Sequence, residues 1–126
     1  MFEKLEIVRL AQAMARHAGA RTEVIAQNVA NADTPGFRAR DLPDFAAYAE
    51  GSGLRTTRAG HLRGAEAAAV DPVVTDGRGS VAPNGNTVSL EDEMVKAVSA
   101  RQQHDMALSI YQNSSRIIRT SLGRGA

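Results

Sequence analysis

The sequence predicts a mainly α protein in which long N-terminal and C-terminal helices form an antiparallel, coiled-coil-like hairpin. Apolar residues recur in alternating steps of three and four near both ends of the 126-residue chain, which is the spacing of a coiled-coil seam. Between these two patterns, glycine and proline interrupt a run that is rich in alanine, arginine and threonine. Such punctuation is typical of turns and loops. The predicted architecture is therefore two helices joined by a loop-rich middle.

The N-terminal helix is predicted to cover residues 1–33. Most charged residues of this stretch fall off the apolar line, so the line can face another helix. Alanine predominates in the line, which permits close helix packing but buries little apolar surface per residue. The seam reads Val8, Ala11, Ala15, Ala18, Thr22, Ile25, Val29 and Ala32.

The exit from this helix is sharp. Pro35 lacks an N–H and disfavours the α region for Thr34, so the helix should stop by about Asp33. Pro35 and Gly36 suit the centre of a type II turn, in which glycine accepts a positive φ. Phe37 follows directly and can fold back onto the helix.

Residues 34–86 are predicted to form the exit turn and a loop-rich insertion. Residues 70–75, followed by an Asp-Gly turn, are consistent with one arm of a short β-hairpin, although Pro72 restricts that arm to a sheet edge. Alanine-rich stretches at 46–49 and 65–69 suggest short helical turns.

The C-terminal helix is predicted over residues 87–123, after a turn at 84–86. Ser89 is a suitable N-cap, and three acidic residues at 91–93 place negative charge where the helix dipole favours it, on a solvated first turn. Gly123 is the expected stop. The seam reads Leu90, Met94, Ala97, Arg101, His104, Leu108, Tyr111, Ser115, Ile118 and Leu122, beside a second apolar line of Val95, Val98, Met106, Ile110 and Ile117.

Composition excludes several classes of protein. A formal net charge of +1 gives no reason to expect a nucleic-acid partner, and the absence of cysteine excludes a disulfide scaffold and thiol metal sites. Charged residues interrupt the first 20 residues, so we expect neither a secretory signal peptide nor a membrane span. These features alone predict a cytoplasmic protein, unless an export route reads an uncleaved N-terminus.

The sequence holds no pattern that is typical of an enzyme or a cofactor site. Nucleophile–base pairs, phosphate-binding loops and metal motifs do not occur, and the three histidines lack a companion ligand at helical spacing. The adjacent acidic residues at 91–93 point in different directions on a helix, which argues against a metal site. We therefore expect no catalytic, cofactor-binding or metal-binding residues.

A hairpin of this kind should be marginally stable by itself. Each helix can hide one stripe of mostly small residues, whereas ordering each residue costs about 1–2 kcal/mol. The C-terminal helix is also apolar over a wider face than one partner covers. We expect residues 1–126 to form one domain that becomes stable by stacking against similar helices, as a subunit of an assembly does.

Two strings of residues resemble motifs of a known family. Residues 28–41 read Asn-x-x-Asn-Ala-Asp-Thr-Pro-Gly-Phe-x-Ala-Arg-Asp, which resembles the signature of bacterial flagellar rod and hook proteins. Residues 85–94 read Gly-Asn-x-Val-x-Leu-x-x-Glu-Met, which is similar to the opening of the C-terminal helix in proximal rod members of that family. The resemblance covers both terminal helices and the exit turn but not the middle. His104 departs from it, because the family often carries an aromatic residue there.

The resemblance implies a structural subunit of the proximal rod of the flagellar basal body, which joins the membrane ring and export gate to the drive shaft for motility. It also implies export through the flagellar type III apparatus without a cleaved signal peptide, and polymerisation in the periplasm. The implied partners are further copies of the chain, rod proteins of the FlgC, FlgF and FlgG types, the hook–basal body protein FliE and the export gate. The resemblance implies neither a nucleic acid nor a small-molecule substrate.

We expect the subunit contacts to use the motif and the apolar seams. Asn28 and Asn31 are the polar candidates, because their amides can either close the helix end or bond to a neighbouring subunit's turn and fix its register. The remaining motif residues are Asp33, Thr34, Pro35, Gly36 and Phe37, and the expected helix contacts are Val8, Ile25, Val29, Leu90, Met94, Leu108, Tyr111 and Ile118.

Three alternatives share parts of this pattern. A free-standing helical-hairpin adaptor or scaffold, unrelated to flagella, would have the same seams but would be well folded as a monomer or dimer. A membrane-surface protein would need lysine and arginine opposite an apolar face, whereas the charges here are mixed. An enzyme would need a pocket with converging polar groups.

Overall fold

The structure, a computed structural model, describes residues 2–51, 73–75 and 81–123. Within these ranges the protein is mainly helical, with a long first helix and a long last helix, as the sequence predicts. The elements in chain order are α1 (Phe2–Ala30), β1 (Arg40–Asp41), α2 (Phe45–Gly51), β2 (Val73–Val74) and α3 (Leu90–Gly123).

The exit from α1 follows the prediction closely. Regular helix ends at Ala30, and one further turn leads to Thr34, whose N–H donates to the Asn31 carbonyl at 3.0 Å. The Phe37 N–H then donates to the Thr34 carbonyl at 3.3 Å, and Gly36 has a φ of 73°. These are the hydrogen bond and the positive φ of a type II turn, so that prediction is confirmed.

The start and the end of α3 are also as predicted. Ser89 caps the helix, because its Oγ lies 3.4 Å from the Asp92 backbone nitrogen and its carbonyl accepts the first helical hydrogen bond, from the Glu93 N–H, at 3.0 Å. Gly123 is the last helical residue. The regular helix begins three residues later than the predicted start at 87. Ser89 is the cap, and the backbone N–H groups of Thr87 and Val88 donate to Phe37 and to the Asn86 side chain instead.

The core between α1 and α3 is built largely of alanine. The two helices pack against each other, and Ala11, Ala18, Ala100 and Ala107 are fully buried. Ile25 is buried on the same side of α1, as the seam predicts. Small residues let the two backbones approach closely, but each removes little apolar surface from water, at roughly 25 cal/mol per Å².

The predicted seam of α3 is displaced by one residue. The sequence pattern placed Met94, Arg101 and Leu108 on the inner face, whereas the buried residues are Glu93, Ala100 and Ala107. All three predicted residues are exposed, and Met94 is 69% exposed. The predicted seam follows the three–four spacing that includes Met94 and Leu108, whereas close packing against α1 buries Ala100 and Ala107, which lie one position before seam residues.

The end of α1 shows the same one-residue shift in one place. The seam included Val29, which is exposed, while the polar Asn28 beside it is buried. Val8 and Ala32 are half-buried, and Thr22 is exposed. The inner face of α1 therefore turns, near its C-terminal end, away from α3 and toward the segment that follows the exit turn.

The middle of the chain contributes one short helix and one strand pair. The helical turn expected at 46–49 is confirmed by α2. β2 pairs antiparallel with β1, with Arg40 opposite Val74 and Asp41 opposite Val73. Within the described ranges the strand partners of residues 73 and 74 thus lie 32 and 34 positions earlier rather than in an adjacent hairpin arm. The predicted Asp-Gly turn and the helical turn at 65–69 lie outside the described residues.

Two glycines provide a matched test of this backbone. Gly36→Ala should destabilise the chain by about 1–2 kcal/mol, because its φ of 73° is unfavourable for a residue with a Cβ even though nothing lies within 4 Å of the added atom. Gly19→Ala should stabilise it by about 0.5–1 kcal/mol, because Gly19 lies inside α1 with open space around the same position. Urea unfolding followed by circular dichroism at low temperature measures both. Equal effects of the two substitutions would contradict the assigned turn.

Candidate functional site

The end of α1 and the start of α3 meet in a hydrogen-bonded region, which we call the junction and define as residues 28–42 and 84–89. At its centre is Asn86, whose side chain is 2% exposed. Its Nδ2 lies 2.8 Å from the Asn31 carbonyl oxygen, 2.9 Å from that of Ala32 and 2.8 Å from that of Thr34. These three carbonyls belong to the turn that follows α1, and those of Asn31 and Thr34 also accept a backbone N–H within that turn. The Asn86 amide therefore adds a long-range donor that holds the exit turn in place.

The loop that carries Asn86 is itself held in a fixed turn. The Asn86 Oδ1 accepts from the Val88 N–H at 2.8 Å, and the Asn84 Oδ1 accepts from the Asn86 N–H at 3.1 Å. Gly85 has a φ of 83°, and its N–H donates to the Ala82 carbonyl at 2.8 Å. Both the oxygen and the nitrogen of the Asn86 amide are thus engaged, and its orientation is determined by these contacts.

The backbones of the two motif strings also bond directly to each other. The Gly36 N–H donates to the Asn84 carbonyl at 2.9 Å, and the Thr87 N–H donates to the Phe37 carbonyl at 3.0 Å. The Thr87 Oγ1 accepts from the Ala39 N–H at 2.8 Å. Residues about 50 positions apart in the sequence are therefore joined into one unit.

Asn28 holds the next residues of the exit segment. Its side chain is 1% exposed, its Nδ2 donates to the Arg40 carbonyl at 2.7 Å, and its Oδ1 accepts from the Arg40 N–H at 3.1 Å. The amide occupies the position that a neighbouring strand would take beside β1. On the preceding residue, the Ala39 carbonyl accepts from the Thr75 N–H at 2.9 Å, in the direction of β2.

Two further residues of α1 fasten the same segment. Arg21 forms a bidentate ion pair with Asp41, with nitrogen–oxygen distances of 3.0 and 3.2 Å. The His17 Nε2 lies 2.8 Å from the Pro43 carbonyl oxygen, so this nitrogen carries the proton. Positions 17, 21 and 28 are separated by four and seven residues and share one side of the helix. The exit segment therefore runs back along α1.

Glu93 is buried on the inner face of α3. The prediction of a solvated acidic first turn is correct for Glu91 and Asp92, which are exposed, but wrong for Glu93, which is 1% exposed. Its Oε1 accepts from the Lys96 Nζ at 3.1 Å, and its Oε2 has no hydrogen-bond partner among the residues that the structure describes. The one-residue displacement of the seam explains why this acid, and not Met94, faces inward.

Some of the predicted site residues form hydrogen bonds within the exit turn and the junction, and the others are apolar helix residues that differ in their exposure. Asn31 has a local role, donating to the Gln27 carbonyl at 2.8 Å and accepting from the Thr34 Oγ1 at 3.2 Å. Gly36 and Phe37 lie in the junction through their backbones. Among the predicted helix contacts, Ile25 is buried, Val8 and Ile118 are half-buried, and Val29, Leu90, Met94, Leu108 and Tyr111 are exposed.

Sequence reasoning did not assign a role to Asn86, Arg21, Asp41 or His17. Asn86 was present in the second motif string, next to a turn glycine, and an asparagine with no helical or strand position is a candidate for closing a helix end. The Arg21–Asp41 ion pair could not be identified from the sequence, because 20 positions separate the two residues.

The described part of the chain offers little for other kinds of site. It contains no group of three side chains arranged to hold a metal ion. None of its helices combines the length and the apolarity needed to cross a membrane.

Comparison with known protein families gives a match over most of α1 and the exit turn. The model of a family described as flagella basal body rod protein matches residues 11–38, which include the core face of α1, Asn28 and the exit turn. The match ends two positions before β1, the strand that Asn28 and Arg21 fasten to α1.

Individual relatives match longer stretches of the chain and share one name. The flagellar basal body rod protein FlgB of Agrobacterium fabrum is 29% identical over 129 residues, covering 97% of this chain and 96% of the relative. The FlgB of Cereibacter sphaeroides is 31% identical over 71% of this chain and 73% of its own length, and that of Aeromonas hydrophila is 40% identical over 58% and 59%. The chain therefore belongs to the FlgB family of flagellar basal body rod proteins. It is a structural subunit of the basal body rod and not an enzyme.

The asparagines of the junction permit a sharp stability test. Asn86→Asp removes the Nδ2 donor and places negative charge against three carbonyls, so we expect a loss of at least about 3 kcal/mol in the free energy of unfolding. Asn84→Asp keeps the oxygen that accepts from Asn86, so we expect a change within about 0.5 kcal/mol. Urea unfolding of both variants measures the difference. A tolerated Asn86→Asp would show that the amide is not the donor assigned here.

Proposed function

We propose that the chain is a proximal rod subunit in which α1 and α3 form an antiparallel hairpin, closed at one end by the junction. Two observations support the antiparallel direction. Asn86, four residues before α3, bonds to the turn that directly follows α1, and the two long helices pack against each other through buried residues on both. A hairpin of residues 1–33 and 87–123, joined by the insertion 34–86, then constitutes the single domain of the chain.

The exposed apolar surface of α3 is the single observation that carries polymerisation. Met94, Val95 and Val98 are each about 70% exposed, and further apolar residues of α3 are exposed on its flanks. A helix that is apolar around most of its circumference is stable when it is covered on more than one side. α1 covers one side only, so the remaining surface fits helices of neighbouring subunits.

The predicted interface residues fit this arrangement unequally. Val29, Leu90, Met94, Leu108 and Tyr111 are exposed and are available to a neighbouring subunit. Both polar atoms of the Asn28 amide already bond within the chain. We therefore assign intersubunit contact to the apolar residues and the exposed turn at 33–35, and we assign Asn28 to holding the exit segment.

The cellular setting follows from the family. We propose that the chain passes through the flagellar export apparatus without a cleaved signal peptide and assembles in the periplasm. There it would contact further copies of itself, rod proteins of the FlgC, FlgF and FlgG types, FliE and the export gate. In this position it joins the membrane ring to the drive shaft. The resemblance of the chain to rod proteins supports these partners, and the charged first helix supports the absence of a cleaved signal.

Removal of the chain tests the proposed position. A strain that lacks it should build the membrane ring but no rod beyond it, as seen by electron microscopy of isolated basal bodies, and should be non-motile. Complementation with the wild-type chain or with Asn84→Asp should restore the rod, whereas Asn86→Asp should not. A normal rod in the strain without the chain would contradict the proposal.

Asn28→Ala separates a role inside the subunit from a role between subunits. Loss of two hydrogen bonds leaves the Arg40 N–H and carbonyl unpaired, so the monomer should lose about 2 kcal/mol of stability. Asn113→Ala, at an exposed position of α3, is the control and should change stability by less than about 0.5 kcal/mol. Urea unfolding of the monomer and rod assembly in cells are measured together. If Asn28→Ala prevents assembly but leaves the stability of the monomer unchanged, Asn28 contacts a neighbouring subunit, and the role assigned to it here is wrong.

A further inference from the structure

The seam between the helices opens at the end opposite the junction. Ile7 lies four residues before the fully buried Ala11, and Tyr111 lies four residues after the fully buried Ala107. Both continue the inner faces of their helices, yet Ile7 is 46% exposed and Tyr111 is 38% exposed. Large apolar residues at core positions are thus left half in water.

Neighbouring residues enlarge this surface. In the proposed hairpin, the start of α1 and the end of α3 lie at the same end, and both expose apolar side chains there. We define the open-end patch as Leu10, Ile7, Leu108, Tyr111 and Ile117, all of which are more than one-third exposed. Tyr111 continues the inner face of α3, and Leu108 and Ile117, nine residues apart, lie on its two flanks, so the patch wraps around the open end of the seam. Exposed apolar surface of this kind marks an interaction site.

A second apolar surface lies toward the junction end, on the outer side of α3. Leu90, Met94 and Val98 are spaced by four residues, and Val95 adjoins them. We call these four residues the outer ridge. Each is more than half exposed, and the ridge faces away from Glu93 and Ala100, which are buried against α1.

The charges beside the two surfaces have opposite net signs. Glu91 and Asp92 are exposed next to the outer ridge and outnumber the exposed Arg101 there. Arg116 and Arg119 are exposed near the open-end patch and outnumber the exposed Asp105 beside Leu108. Glu93 and Lys96 pair with each other, and Glu6 and Arg9, on the adjoining part of α1, contribute one charge of each sign. The described part of α3 is therefore acidic at its first turn and basic around residues 116–119, just before its last turn.

We propose that the open-end patch of one subunit receives the outer ridge of a second copy of the chain, with Arg116 and Arg119 of the first subunit facing Glu91 and Asp92 of the second. The inference rests on the proposed hairpin and on its assembly into a rod. Because the two surfaces differ, the contact is head-to-tail. A head-to-tail contact that does not close on itself generates an open helical array, as a rod requires. A like-to-like contact would leave charges of the same sign facing each other.

The absence of cysteine makes a direct test possible. Val98→Cys and Ile117→Cys are introduced in separate copies of the full chain, the two are co-expressed in the strain that lacks it, and isolated basal bodies are treated with a short bismaleimide. The proposal predicts a mixed product that joins one copy of each variant. Ala20→Cys, at an exposed position of α1 outside both surfaces, replaces either partner as the control and should give no mixed product.

Each other result overturns the proposal. Products that join two Val98→Cys copies or two Ile117→Cys copies only would indicate a like-to-like contact. A product with a different protein would identify another rod component as the occupant. Rods that assemble without any product would place the two surfaces apart, while leaving the structural role of the chain intact, since that role is tested by deletion of the chain.

Charge reversal provides a second measurement that does not depend on cysteine. Glu91→Lys with Asp92→Lys, or Arg116→Glu with Arg119→Glu, should lower the yield of rods at least about fivefold, since two exposed ion pairs become repulsive. All four substitutions in one chain reverse both surfaces and should restore the yield. Circular dichroism of each purified variant shows whether the helices are retained. Failure of the fourfold variant to recover, with helices retained, would contradict the pairing of these charges.

Discussion

The structure depends on the contact between Asn86 and the turn that follows α1. The Asn86 amide is buried, and a buried donor without an acceptor costs about 1–3 kcal/mol, so the amide needs the carbonyls of that turn. Asn86 is more than 50 positions away from these carbonyls in the sequence and lies four residues before α3. The same contact that holds the exit turn therefore positions the start of the second long helix. Secondary structure and tertiary structure are coupled at this one point.

The helices themselves contribute less to uniqueness than the junction does. Their shared core is mostly alanine, so an axial slide of one helix against the other would change little apolar burial. The hydrogen bonds from Asn86 to the exit turn, and the backbone bonds that join Gly36 to Asn84 and Phe37 to Thr87, have direction and tolerate no such slide. Polar groups provide the register, and apolar groups provide the attraction. This division suits a subunit whose remaining apolar surface is meant for other subunits.

The sequence predicted the features that depend on neighbouring residues. Pro35 and Gly36 determine a turn by their own backbone preferences, and Ser89 caps a helix that begins at the next residue, so both could be identified from short strings. The Arg21–Asp41 pair and the role of Asn86 could not be identified, because they depend on which segments approach each other in space. The inner face of α3 was misplaced by one residue, since periodicity alone does not say whether a close helix pair will bury its large residues or its alanines. The family motifs marked the right region, and the structure supplied the contacts within it.

The pairing of β1 with β2 has a consequence for the length of the chain between them. Asp41 lies opposite Val73, so the segment that joins β1 to β2 begins and ends at adjacent points. The separation that this excursion must bridge is the same whatever its number of residues, and doubling the length of a flexible loop costs only about 0.6 kcal/mol in closure entropy. Members of one lineage can therefore gain or lose many residues here without disturbing the helices. It is a natural place for a foreign tag or probe to be inserted.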